Sequence, residues 1–283
     1  MSAFLVIIGI PTLAMESYSL GPIEITPWLY EFNLPPNLIS GDINPIRSIF
    51  RIPNTLGLIA SIGFFSSLGL TITAATKIRI SFTILNFLGA YLNGSRSAFI
   101  FTLIGLVIFF VAIYLKCPIS TFAVQSIFCS IFLPLIVFSI RPSLIPQFID
   151  LTGRRTLWEA SINAIKTNPL LGFGAGDQSA YIDTYIENEM HSEKGPHNSY
   201  LRMFLTTGIL GGVSYVLFVL YVIINSSKAM RSIEEKTIVV IIIIFSLHQM
   251  FSSWAIFGQV GIRFFGLASS IFFGYGIRIY IDD

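Results

Sequence analysis

Apolar runs take up most of this chain, and its polar residues fall in the gaps between them. TIVVIIIIFSLHQMFSSWAIF at 237–257 and SAFIFTLIGLVIFFVAIYL at 97–115 each approach the ~20 residues that carry a helix across a bilayer. Similar runs occupy 54–75, 80–92, 119–140, 199–225 and 263–281. In hydrocarbon every backbone N–H and C=O must be satisfied within the protein, so runs of this length predict helices rather than open sheet. A further apolar stretch, MSAFLVIIGIPTLAM, opens the chain. It lacks the basic start of a signal peptide and would reach only about 22 Å as a helix, so it reads as a short or clipped first span. The pattern predicts an all-α integral membrane protein of about seven to eight transmembrane helices, a single polytopic domain over 1–283.

Two long polar segments interrupt the spans. Residues 16–53 hold six of the thirteen prolines, with Trp28, Tyr30 and Phe32 suited to a membrane interface. Residues 141–198 hold two of the three histidines. Basic residues in the short connections set the orientation. Lys77, Arg79, Lys116, Lys228, Arg231, Lys236 and Arg278 fall on one side, against Arg96 and Arg263 on the other. The first side is therefore expected to be cytoplasmic, making 16–53 an outer Pro-rich loop and 141–198 a large, partly helical periplasmic loop. Within the latter, RRTLWEASINAIKT (154–167) places Leu157, Trp158, Ser161, Ile162 and Ile165 opposite Arg155, Glu159, Asn163 and Lys166. This reads as an amphipathic helix on the membrane with its Trp at headgroup level. Thr152 or Asp150 could cap its start, and Asn168-Pro169 ends it. A second short helical stretch is expected near 181–190.

Composition agrees with this picture. Only 11% of residues are charged and mean hydropathy is +0.77, which excludes an ordinary soluble domain. A net charge of +2 with scattered basic residues gives no nucleic-acid surface. Cys117 and Cys129 have neither a disulfide framework nor metal-ligand spacing.

Four places could carry chemistry. Asn93-Gly94-Ser95-Arg96-Ser97 breaks the helical pattern at membrane depth. Ser95 or Ser97 can cap the next helix, and its N-terminus with Arg96 would form an anion site; a snorkelling arginine fits equally. Pro196-His197-Asn198-Ser199 places a proton acceptor at the outer start of a span, where a water-exposed interfacial histidine is the plainer alternative. Asn198 or Ser199 can cap that helix and fix the histidine's direction. Further along, Gly208, Gly211 and Gly212 form a small-residue face for close helix approach. Gly153-Arg154-Arg155 could bind headgroups or substrate phosphates. Gly172-Phe173-Gly174-Ala175-Gly176 reads as a turn. His248 and Gln249 lie inside a span, where hydrogen bonding between helices is the milder account and catalysis the bolder one. Arg202 could join an outer anion pocket or snorkel. Arg263 has no evident partner.

Taken together, these motifs resemble the O-antigen ligase and O-antigen polymerase family of bacterial membrane glycosyltransferases. His197-Asn198, then Gly208 and Gly211, is similar to that family's outer-loop signature. GSRSAF at 94–99 resembles its Ser-Arg motif. GRRTLW at 153–158 followed by TNPLLGFGAG at 167–176 resembles its Gly-Arg-x-x-x-Trp helix and the turn after it. Arg51-Ile52-Pro53-Asn54 is similar to a Pro-Asn pair that starts an earlier helix.

The resemblance runs from about residue 50 to 283. It implies a GT-C-like fold in the bacterial inner membrane with a periplasmic active site. The activity implied is inverting transfer of a glycan from an undecaprenyl-diphosphate donor to an acceptor hydroxyl on a glycan or lipid A-core. By motif, Arg96, Arg154 and His197 would be the catalytic residues, with Arg155, Asn198 and Arg202 as neighbours able to touch substrate. No cofactor and no metal are expected, because guanidinium groups and a helix N-terminus can neutralise a leaving diphosphate. Family members carry several more N-terminal helices than the one before residue 16. That difference keeps open a truncated, non-catalytic remnant, and broken helices with polar groups keep open a transporter of a small anion or solute.

Overall fold

The computed structural model describes residues 1–14, 17–27, 45–50, 52–116, 118–145, 153–186, 194–252 and 264–281, the first four residues of the last range by their backbone alone. Trp28, Tyr30, Phe32, Arg51, Cys117, Asp150, Thr152 and Arg263, and residues 187–190 of the stretch expected to be helical at 181–190, lie outside the described residues; the short helix expected there runs over Gln178–Asp183, beginning earlier than expected. The chain is an all-α membrane protein that forms two compact units. One comprises Met1–Ile113 with Arg231–Ile244, the other Tyr114–Met230 with Phe245–Asp283.

The first unit contains α1 (Ser2–Gly9), a hairpin of β1 (Tyr18–Leu20) and β2 (Ile23–Ile25), then α2 (Pro53–Thr73), α3 (Lys77–Leu92) and α4 (Arg96–Tyr114). The hairpin is the one addition to an otherwise helical expectation. It turns at Gly21, whose φ of 61° a side chain would resist. α2 opens on Pro53, whose missing N–H costs nothing at a helix start. Its last carbonyls are met by Arg79, which donates to Leu70 O (2.9 Å) and Ala74 O (2.8 Å); the positive charge also suits that end of the helix dipole. Small residues set the helix spacing: Gly63 lies against Ser2, and Gly89 against Val6.

The second unit contains α5 (Ile119–Ile140), α6 (Arg154–Thr167), α7 (Gln178–Asp183), α8 (Ser199–Lys228) and α10 (Phe264–Ile281). The intervening α9 (Ile233–His248) is the segment where the chain passes back from the first unit. Among the described residues four helices, α2, α4, α5 and α8, are long and apolar enough to cross a membrane by length and composition. The span expected at 237–257 is shorter as a helix: α9 ends at His248, a 3-10 turn follows through Phe251, and Ser252 is extended. The segment expected at 80–92 is longer, starting at Lys77 because Thr76 caps it by accepting from the Arg79 N–H (3.2 Å).

Candidate active site

In the first unit, the break before α4 is built from its own residues. Asn93 donates to Gly89 O (2.8 Å) and Ala90 O (2.6 Å) and accepts from the Ser95 N–H (2.8 Å). Ser95 Oγ then caps α4 by accepting from Ala98 N–H (3.3 Å), as its position before the helix leads one to expect. The Ile46 N–H takes the carbonyl of Leu92 (3.1 Å). Asn93 and Ser95 are buried and Arg96 is half-buried at the first position of the helix. Non-helical backbone at this place is thus enclosed by protein, as a break at membrane depth requires.

In the second unit, three elements converge on His197. α6 is preceded by Gly153, which has left-handed backbone (φ 78°) and no side chain to cap the helix, and opens on Arg154. Leu157, Trp158, Ala160, Ser161 and Ala164 form its buried face; the periodicity picks out Leu157, Trp158 and Ser161, while Ile162 and Ile165, expected on that face, are half-buried at its edge. Trp158, however, is enclosed by protein and does not face a lipid surface. It is 1% exposed, packs with Ile145 and Leu201 and with the Phe251 ring (6.0 Å), and donates Nε1–H to Pro196 O (3.1 Å). Its indole N–H has found a protein acceptor instead of water.

α8 is capped by Asn198, whose Oδ1 accepts from the N–H groups of Tyr200 (3.0 Å) and Leu201 (3.1 Å). Asn198 Nδ2 donates to Ser139 Oγ of α5 (2.8 Å). Ser199 does not cap; its hydroxyl donates to Ser252 O (2.7 Å). Between Pro196 and Asn198, His197 has φ 46°, a region that L residues enter only at a cost. The residue is half-buried, and burial first, then the charges of Arg154 and Lys194, lower its pKa from 6.5 to about 4. It is not the freely hydrated interfacial histidine that sequence left open.

The neighbours complete the site. The Arg154 guanidinium lies 5.7 Å from the centre of the Phe251 ring, a cation–π distance. Arg202 is 5% exposed, so it does not snorkel to the surface. Arg155 is on the outer side of α6, where it pairs with Glu159 (3.2 Å). His248 is fully buried and its Nδ1 is 3.1 Å from Ser252 Oγ. Gln249 Oε1 accepts from the Tyr215 hydroxyl of α8, the interhelical bond that sequence suggested.

The glycine-rich segment does more than turn. α8 breaks at Gly208 (φ 65°, ψ −165°), and the loop after α6 supplies the bonds the break removes. Phe173 N–H donates to Leu205 O (2.9 Å), Gly174 N–H to Thr206 O (2.9 Å), and Ile209 N–H to Pro169 O (2.8 Å). A Cβ at Gly208 would strike Leu170 O, and one at Gly172 would come within 2.6 Å of Gly208 N. Gly211 and Gly212 lie under Thr207 and Phe204 of the same helix. The expected small-residue face for a neighbouring helix is therefore corrected: these glycines admit a loop and a bend.

Sequence reasoning found Arg154, His197, Asn198 and Arg202 in one unit, and Arg96 in the other. It missed Ser139, Phe251 and Ser252 as partners, because none carries a motif and Ser139 is 59 residues from Asn198.

The second unit thus places the Arg154 guanidinium near a half-buried histidine of lowered pKa. Residues 81–216 match the family model described as O-antigen ligase. The match begins inside α3, contains Arg96, Arg154, His197, Asn198 and Arg202, and ends in α8 past Gly208. The match spans just under half of the chain and makes that part similar to O-antigen ligases. No curated protein matches the chain.

Proposed function

We propose that this protein is an inverting membrane glycosyltransferase of the O-antigen ligase or polymerase kind. It takes a glycan from an undecaprenyl-diphosphate carrier and joins it to an acceptor hydroxyl, on a glycan or lipid A-core, at the periplasmic face of the inner membrane. The observation that carries this reading is His197, held in strained backbone and kept neutral beside Arg154.

In the reaction, the acceptor oxygen attacks the anomeric carbon from the side opposite the diphosphate. The C–O bond to the diphosphate breaks, the diphosphate leaves with the electron pair, and the acceptor's proton passes to His197. A histidine of pKa about 4 is a weak base, so it orients the hydroxyl first and takes the proton late, once bond formation has acidified it. Arg154 faces the diphosphate with a planar fork matched to phosphate oxygens. A bound diphosphate also offsets the positive field that depresses His197, making the base stronger when donor is present. Arg96, at the start of α4 in the first unit with the helix N-terminus behind it, is proposed separately, from its motif, as an anion ligand, and Arg202 as a buried neighbour of the acceptor. Arg155, paired with Glu159, has the weakest claim to touch substrate.

The test is transfer by purified protein from lipid-linked donor to acceptor. His197→Ala and Arg154→Lys are expected to lower kcat at least a hundredfold, the scale of a lost general base or transition-state charge contact. Near-normal rates in either variant would remove this mechanism. The surface-glycan ladder of a deletion strain separates the two activities: long carrier-linked polymer left unattached means ligase, and attached single repeats mean polymerase.

A further inference from the structure

His197 occupies left-handed backbone, φ 46°, although neither proline before it nor asparagine after it supplies that geometry locally. Such a conformation persists where the surroundings over-determine it. Here both flanking residues are tied to other helices. On one side, Trp158 of α6 donates its indole N–H to the carbonyl of Pro196 (3.1 Å). On the other, Asn198 donates its amide to the hydroxyl of Ser139 in α5 (2.8 Å), and that hydroxyl is itself oriented by donating to Leu135 O (2.8 Å). Trp158, Ser139 and Asn198 are all essentially buried, so water does not compete for these bonds.

We propose that Trp158 and Ser139 are positioning residues that clamp the Pro196–Asn198 segment from two helices and thereby hold the His197 imidazole at its working place. This deepens the glycosyltransferase reading and rests on it for the effect on rate. It also reassigns Asn198, expected from sequence to touch substrate, to the clamp: its oxygen caps α8 and its nitrogen donates to Ser139 of α5. Among the described residues, the charged groups that act on His197 are Arg154 from α6 and Lys194 from its own loop.

The experiment uses the full chain in detergent or nanodiscs, with Trp158→Phe, Ser139→Ala and Ser139→Thr. Phenylalanine keeps a ring against Phe251, Ile145 and Leu201 but loses the N–H. Threonine keeps the hydroxyl. Trp158→Phe and Ser139→Ala are expected to lower kcat about tenfold with KM within about twofold, and Ser139→Thr to restore most of the rate. NMR titration of histidine-labelled protein gives a readout independent of transfer: in the two damaging variants the His197 titration moves upward from about 4 toward 6.5, because a loosened segment admits water to the ring. Lower thermal stability with an unmoved titration and an unchanged kcat would overturn the clamp and leave both side chains as packing. If wild-type protein transfers nothing, the glycosyltransferase reading fails, while the titration still decides the clamp.

Discussion

The protonation state of His197 depends on two unlike causes, and each can be changed alone. Burial is the larger and the Arg154 charge the next. The folded pKa lies below the ordinary 6.5, so neutral His197 persists as pH falls below 6.5 and is lost only near pH 4. The acidic limb of kcat/KM, which reports the free enzyme, is therefore expected near pH 4; a limb at 6.5 would show a hydrated histidine. In Arg154→Gln the titration should rise part of the way back to 6.5, followed by NMR because the variant is expected to be slow. Arg96 gives a second residue-scale prediction. Lysine retains charge but not the bidentate fork, so Arg96→Lys should lose at least tenfold in transfer at normal expression. An unchanged rate would return Arg96 to a snorkelling role.

At the scale of elements, the form of α8 depends on another segment. Its N-terminal half carries the His197 side of the site, and it breaks at Gly208, about 15 Å along from Asn198. The 169–174 loop closes the break with three backbone bonds. A break without such partners would leave buried carbonyls unsatisfied. Gly208→Ala places a Cβ at positive φ against Leu170 O, and the backbone strain alone is of order 1–3 kcal/mol. Thermal unfolding in detergent should show Gly208→Ala clearly less stable than wild type, with Ala175→Gly, in the exposed part of the loop, close to wild type. Equal stability of the two would mean that the loop does not close the break.

For the whole molecule, the basic residues predict which ends face the cytoplasm, and exposure decides where that can be probed. Asn163 on the outer face of α6 and Lys228 at the end of α8 are both exposed. With Cys117 and Cys129 replaced by Ser, Asn163→Cys in intact spheroplasts should react with an impermeant thiol reagent and Lys228→Cys should not. Labelling of Lys228→Cys alone would invert the orientation and place the Arg154–His197 side in the cytoplasm. The arginine-based mechanism further predicts that transfer by purified protein survives EDTA. Loss of activity restored by Mg²⁺ or Mn²⁺ would point to carboxylate ligands instead.

The linear pattern determined the helices and most of their ends, because a bilayer span needs a long apolar run and because caps such as Asn198 and Ser95 act on N–H groups two or three residues away. It also determined which arginines and which histidine to consider, since those side chains are costly at membrane depth unless they are used. Tertiary structure alone decided what surrounds them. Trp158 turned from an interfacial anchor into a buried donor because Pro196 O stood within reach of its N–H, and the Gly208 region became a break instead of a packing face because a loop more than thirty residues earlier supplied matching backbone groups. The depressed pKa of His197 likewise comes from burial and from Arg154, forty-three residues away. Local rules see only neighbours along the chain, whereas burial, electrostatic fields and shared hydrogen bonds are set by neighbours in space.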